Sequence, residues 1–263
     1  MALEISRKDI PQGDLIEYSA EDRFIKLPIF PYMELLGVEP IPSQIAIINA
    51  VNNPKYRFIC GAVSRRQGKT YIANIIGQLT ALVPNSHILI MSPNYSLSQI
   101  SFDLQRQLIK HFDLEVTKDN AKDRVIELSN GSTVRMGSIN QVDSTVGRSY
   151  DLIIFDEAAL VDGRDAFNVA LRPTLDKDGS KALFISTPRG RNNWFADFFY
   201  RGFMMSFQNG VLYEQHIMKT LVLANLILMK QRNLCLQLNL LKNTWQISTL
   251  IRDRYGHLIM KNV

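Results

Sequence analysis

The stretch that most constrains the fold is Arg57–Thr70, RFICGAVSRRQGKT, where an apolar run of strand length enters a short polar loop closing on Gly-Lys-Thr at the start of a helical pattern. That is the setting of a phosphate loop. Backbone N–H groups of the loop and of the helix N-terminus would face the β- and γ-phosphates, and Gly68 allows the backbone to come close. Lys69 would place a point charge on the transferred phosphate, and the Thr70 hydroxyl can ligate Mg²⁺. The usual spacing asks for glycine five residues before Gly68, and Val63 stands there, so Gly-Lys-Thr alone also fits a chance helix start.

A second segment narrows the choice. Asp151–Glu157, DLIIFDE, is an apolar strand that ends in adjacent carboxylates about 85 residues after Gly-Lys-Thr. In a parallel sheet the carboxyl ends of strands form the ligand crevice, so both groups would emerge beside the phosphate loop. Asp156 suits a grip on Mg²⁺, direct or through water, and Glu157 suits orienting and deprotonating an attacking water. A strand end capped by solvated acids is the alternative for the pair taken alone. A third strand, Ala182–Ser186, runs into Thr187-Pro188-Arg189-Gly190. Its terminal hydroxyls can bond the catalytic carboxylate or the γ-phosphate, or serve only as a Ser/Thr-Pro turn.

The chain around these segments alternates strand-length and helix-length patterns. The strands are expected at Arg57–Ala62, His87–Ser92, Arg124–Leu128, Thr133–Met136, Asp151–Phe155 and Ala182–Ser186. Helices are expected at Lys69–Leu82, Leu97–Phe112, Ala166–Arg172 and Asn193–Tyr200, with a short one over Ser43–Val51 capped by Ser43. Ser129-Asn130-Gly131 reads as a hairpin turn, and Pro11-Gln12-Gly13 as a turn in the lead-in. The pattern predicts an α/β fold with a mainly parallel sheet covered by helices on both faces. Residues 1–54 form the lead-in, 55–203 the nucleotide-binding core and 204–263 a tail of doubtful order.

Net charge is +5, which invites a nucleic-acid reading, but its distribution weakens the argument. Residues 1–203 hold 23 Lys and Arg against 23 Asp and Glu, whereas residues 204–263 hold 7 against 2. No run of eighteen apolar residues occurs and no secretion signal stands at the N-terminus, so a cytoplasmic protein without membrane contact is expected. Cys60 and Cys235 lack metal-ligand spacing and are expected as buried free thiols.

Four segments together, IPSQ (41–44), VSRRQGKT (63–70), YDLIIFDEAAL (150–160) and LFISTPRG (183–190), resemble the large terminase subunits of tailed phages, most closely the DNA-maturase type of short-tailed phages. The arginine-bearing loop without its first glycine is similar to the terminase form, so Val63 turns from departure into support. The resemblance implies a RecA/ASCE-like P-loop NTPase that uses ATP and Mg²⁺ to drive double-stranded DNA into a procapsid. It implies a small terminase subunit and a portal protein as partners, a homo-oligomeric ring during packaging, and the host cytoplasm as the place of work.

Carried over residue by residue, Gln44 resembles the adenine-recognising residue, with a surface glutamine as its alternative. Ser64, Arg66, Gln67, Gly68, Lys69 and Thr70 would hold the nucleotide, and Thr70 and Asp156 the metal. Glu157, Lys69 and a loop arginine would be catalytic; Arg65 is preferred to Arg66 for the charge contact on the γ-phosphate. Arg148 is a further candidate, reaching a neighbouring subunit, and Ser186 and Thr187 resemble the motif that couples hydrolysis to DNA movement. MSPNYSLSQ (91–99) is similar to the segment that contacts DNA or relays motion in helicase-like motors, or is a plain strand–turn–helix connection.

The family also carries a nuclease domain, which is not expected here because one Asp and one Glu remain after residue 203, too few for a two-metal site. The tail is rich in Leu, Ile, Met, Asn and Gln. A single shifted reading frame from the Phe203 codon permits Glu-Tyr-Leu-Ala-Asp-Phe across Asn243–Ser248, similar to the acidic-aromatic stretch that precedes the family's nuclease. The expectation is therefore a frameshifted tail that replaces the authentic linker. Competing functions are a helicase-like or repair ATPase with the same core, which a DNA-unwinding assay separates, and an inactive truncated nucleotide-binding module.

Overall fold

The computed structural model describes residues 17–19 and 24–207, with side-chain surroundings from 26 to 201. The turn expected at Pro11–Gly13, the basic tail with its proposed frameshift, and Cys235 lie outside the described residues.

A ribbon of antiparallel strands, β1 (Glu17–Ser19) and β2 (Phe24–Lys26), leads into α1 (Ile29–Leu35) and α2 (Pro42–Val51). The core then runs β3 (Phe58–Ala62), α3 (Lys69–Ala81), β4 (His87–Ser92), α4 (Tyr95–His111), β5 (Val116–Asn120), β6 (Val125–Leu128) and β7 (Thr133–Ser138). It finishes with β8 (Leu152–Asp156), β9 (Lys181–Ser186) and α5 (Trp194–Phe207). The sheet order is β3-β9-β8-β4-β7-β6-β5, parallel from β3 to β7 and antiparallel from β7 to β5.

Every residue of β8 and β9 is buried, because helices cover both faces; this is why the central strands read as unbroken apolar runs. On one face α3 lies so close that a Cβ on Gly77 would meet Ile88, Ile90 and Ile154 at 3.5–3.6 Å. On the other, Phe58, Phe155, Phe167, Phe184, Trp194 and Phe198 form an aromatic core in which Phe155 and Phe184 stack with ring centroids 5.1 Å apart. Cys60 is fully buried there as a free thiol, as expected. Among the described residues, no helix is long and apolar enough to cross a membrane.

Three local expectations need correction. Ser43 is not the cap of α2: the helix begins at Pro42, whose ring suits a first helical position, and Gln44 Oε1 accepts the Ile41 N–H at 3.1 Å in place of a serine cap. Ala166–Leu171 winds as a π-helix, and Arg172–Thr174 follows as a 3₁₀ turn where Pro173 supplies no N–H with which to continue an α-helix. The chain also has α1 and β5, which the sequence reading missed; β5 is mostly exposed and polar at an edge, and gives no alternating signal. The Asn130-Gly131 hairpin between β6 and β7 is present, with Gly131 at φ +84°.

Candidate nucleotide site

Parallel register builds the site. Ala62 of β3 pairs with Ser186 of β9, and Asp156 of β8 pairs with Ile185 of β9, so three strand ends are level. The phosphate loop, Asp156-Glu157 and Ser186-Thr187 therefore emerge side by side at the carboxyl edge of the sheet. The Val63 N–H donates to Ser186 O at 2.9 Å, which ties the loop's first residue to β9 while the Val63 side chain is buried below it. A valine thus serves where glycine is usual because its side chain points into the core.

Lys69 is 7% exposed, and its ammonium lies 3.1 Å from Glu157 Oε1 and donates to Thr187 Oγ1 at 3.0 Å. Next to it in the first turn of α3, Thr70 Oγ1 donates to Asp156 Oδ2 at 2.7 Å. Burial pushes the Asp156 carboxyl up to about 6; the Thr70 hydrogen bond and Lys69 oppose the rise, and Glu157 adds to it. A desolvated carboxylate beside a hydroxyl is a hard-oxygen pair that fits Mg²⁺. Among the described residues there is no cluster of three or more His, Cys, Asp or Glu.

Ser186 is fully buried; its Oγ accepts the Ala159 N–H at 3.0 Å and lies 3.4 Å from Glu157 Oε2. Glu157 itself sits in the left-handed region at φ +53°, as does Arg66 at φ +62°. Non-glycine residues held there concentrate where surrounding structure dictates a geometry for function. Ser64, Arg65, Arg66 and Gly68 are exposed at the loop surface, and Gln67 is half-buried.

Gln44 is buried against the loop: its Nε2 donates to Gln67 O at 3.4 Å and Gly68 O at 3.5 Å. The structure thus joins Gln44, Ser64–Thr70, Asp156, Glu157, Ser186 and Thr187 in one region. Arg148 stands apart from it: this exposed side chain lies on the approach to the amino end of β8, near His87, whose pKa is lowered by burial first, then by Lys177, with Arg148 adding a smaller share. The 91–99 segment forms the end of β4, a turn and the start of α4, with Asn94 Oδ1 capping the Leu97 N–H at 3.0 Å. There the exposed Tyr95 ring lies under the buried Arg124 guanidinium, 3.0 Å from ring centroid to Cζ.

Two supporting residues escaped the sequence reading. Trp194 is 1% exposed, and its Nε1 donates to Ala158 O at 2.7 Å and Val161 O at 2.8 Å, pinning the loop that follows Glu157. Lys181 Nζ donates to Val51 O and Asn53 O, both at 2.7 Å, anchoring the end of α2, the helix that carries Gln44. A tryptophan after a Thr-Pro turn is a weak signal, and a buried lysine at a strand start gives none.

Comparisons with known proteins bear on the family of the chain. The family model described as terminase large subunit, T4likevirus-type, N-terminal, matches residues 60–209. The terminase large subunit of Escherichia phage T5 is 50% identical over 210 residues, covering 80% of this chain and 48% of the relative. That of Thermus phage G20c is 31% identical over 209 residues, covering 70% and 41%. The chain therefore spans about half the length of the curated relatives it matches. Among solved structures, the large terminase ATPase domain of Thermus phage P74-26 superposes with TM-score 0.58 at 25% identity, covering 72% of this chain and 78% of that one. The HK97 large terminase shares the fold at TM-score 0.57 and 18% identity. With a phosphate loop, an acidic strand end and a β9 terminus in one constellation, and with these relatives, the chain belongs to the terminase large subunit family.

Proposed function

We propose that this chain is an Mg²⁺-dependent ATPase motor that drives double-stranded DNA into a procapsid. The observation that carries the reading is the pair of contacts at one strand edge, Lys69 with Glu157 and Thr70 with Asp156. Lys69 and the loop N–H groups bind the β- and γ-phosphates, with Ser64, Gln67 and Gly68 lining the cradle. Thr70 and Asp156 hold the cation, which neutralises charge on the phosphates. Glu157, once Lys69 turns to phosphate, orients a water in line with the γ-phosphorus and takes its proton. Arg65, or Arg66 beside it, adds a charge contact to the transferred group.

In the same reading Gln44 recognises adenine through its side-chain amide, and Ser186 and Thr187 report the γ-phosphate to β9. Arg148, remote from its own loop, serves a neighbouring copy in a ring. Small terminase subunit and portal are the partners, and the host cytoplasm is the compartment. The test is ATP turnover by the purified chain with and without duplex DNA. Turnover lost in Lys69→Ala and Glu157→Gln supports the reading. Wild-type protein that binds ATP without hydrolysing it would identify a nucleotide-binding module instead, and strand separation in an unwinding assay would identify a helicase.

A further inference from the structure

Helices α3 and α4 meet across an unusual seam. Asn74 and Gln78 on α3, and Ser98, Ser101 and Gln105 on α4, recur at helical spacing on the facing sides, and all are fully buried. Asn74 Nδ2 donates to Thr70 O at 2.8 Å and to Ser101 Oγ at 3.3 Å. Gln105 Nε2 donates to Asn74 O at 2.8 Å and to Asn74 Oδ1 at 3.1 Å. The chain of contacts runs from the first turn of the phosphate-loop helix into the middle of α4.

Stability does not account for this seam. Apolar side chains of the same shape would hold the two helices at least as well, since buried polar groups gain little net and lose when unsatisfied. Here both amide atoms of Gln78 and the Oε1 of Gln105 have no hydrogen-bond partner among protein atoms. A buried polar seam ties each helix to specific partners on the other, so a displacement of one helix is felt through the hydrogen bonds that hold the second.

We infer that Asn74 and Gln105 are positioning residues that transmit occupancy of the nucleotide site to α4. A phosphate on Lys69 and Thr70 sets the first turn of α3, the Thr70 carbonyl carries Asn74 with it, and Gln105 draws α4 after Asn74. This rests on the ATPase reading, because the signal it describes is bound nucleotide.

The test is hydrogen exchange on the full chain with Mg²⁺ and the non-hydrolysable analogue AMP-PNP. Wild type should show slowed exchange both at residues 69–76 and at 95–111, by about fivefold or more. In the double variant Asn74→Leu/Gln105→Leu, protection should persist at 69–76 and disappear at 95–111. Turnover should then fall about tenfold while KM for ATP stays within about threefold. Should that variant not fold, Gln105→Met alone cuts the same link with the helical packing volume kept, and Gln105→Asn, which keeps an amide, should restore part of the response. Protection at 69–76 in wild type with no change at 95–111 overturns the inference alone. Absence of any AMP-PNP protection at 69–76 overturns the ATPase reading and the inference with it.

Discussion

Lys69 and Glu157 form an ion pair of 3.1 Å across the mouth of the nucleotide site, and the lysine is almost wholly buried. The residue proposed to receive phosphate and the residue proposed to activate water are thus paired with one another. ATP binding has to replace this contact, so the two residues should separate cleanly in mutagenesis. Glu157→Gln removes a negative charge from the phosphate's surroundings and should bind ATP as tightly as wild type or tighter, while turnover drops by about 10²–10⁴-fold. Lys69→Ala should lose affinity as well as turnover. Equilibrium ATP binding and steady-state kinetics on the two variants measure this, and equal loss of affinity in both would count against the assigned roles.

Gly68 occupies φ +63°, and a Cβ there would lie 2.6 Å from Gln44 Nε2. Gly68→Ala therefore carries two penalties: left-handed backbone strain of about 1–2 kcal/mol and displacement of Gln44. Removing the Gln44 side chain relieves only the second. Urea unfolding of Gly68→Ala should show a smaller loss in a Gln44→Ala background than in wild type, by about 0.5–1 kcal/mol, as expected for residues in contact. Strict additivity would show that Gln44 yields without cost.

Much of this site was legible because its chemistry is local in sequence. Gly-Lys-Thr, Asp-Glu and Ser-Thr-Pro each end or begin a secondary-structure element, and parallel strands bring such ends together whatever the intervening loops do. Strands β4, β8 and β9 were legible for a related reason, since burial on both faces leaves their middles apolar. What escaped was set by tertiary context. Gln44 is singled out only by the family resemblance, since its residue type alone fits a surface position, and Asn74 and Gln105 look like ordinary solvent-facing helix positions until α3 and α4 meet. β5 carries almost no apolar signal, because it is held by pairing with β6 and not by burial.

Trp194 connects the loop after Glu157 to α5 through two indole hydrogen bonds and stacks edge-on against Phe155 and Phe184. Trp194→Phe keeps an aromatic ring but leaves the Ala158 and Val161 carbonyls short of a donor. The expected cost is about 1–3 kcal/mol of stability, read by chemical unfolding. Turnover should fall further than ATP affinity, because Glu157 lies at the start of the released loop. A variant as stable as wild type would mean that water replaces the indole at both carbonyls.

Lys181 provides a pH-dependent counterpart at the other end of α2. Burial lowers its ammonium pKa to about 7 from the usual 10.5, although two backbone carbonyls accept from it. The unfolded chain then binds one more proton than the folded one between about pH 7 and 10.5, so stability rises with pH through that window, by at most about 1.4 kcal/mol per unit. Below about 7 both states hold the proton, and this contribution to the slope ends. Lys181→Met fills similar space without a charge and lacks the step. The stability of wild type relative to the variant, from urea unfolding, should therefore improve steadily from about pH 7 to pH 10. A difference that does not change with pH would mean that the Val51 and Asn53 carbonyls hold the lysine charged in the folded protein, and that the end of α2 is fastened by an ion and not by a neutral amine.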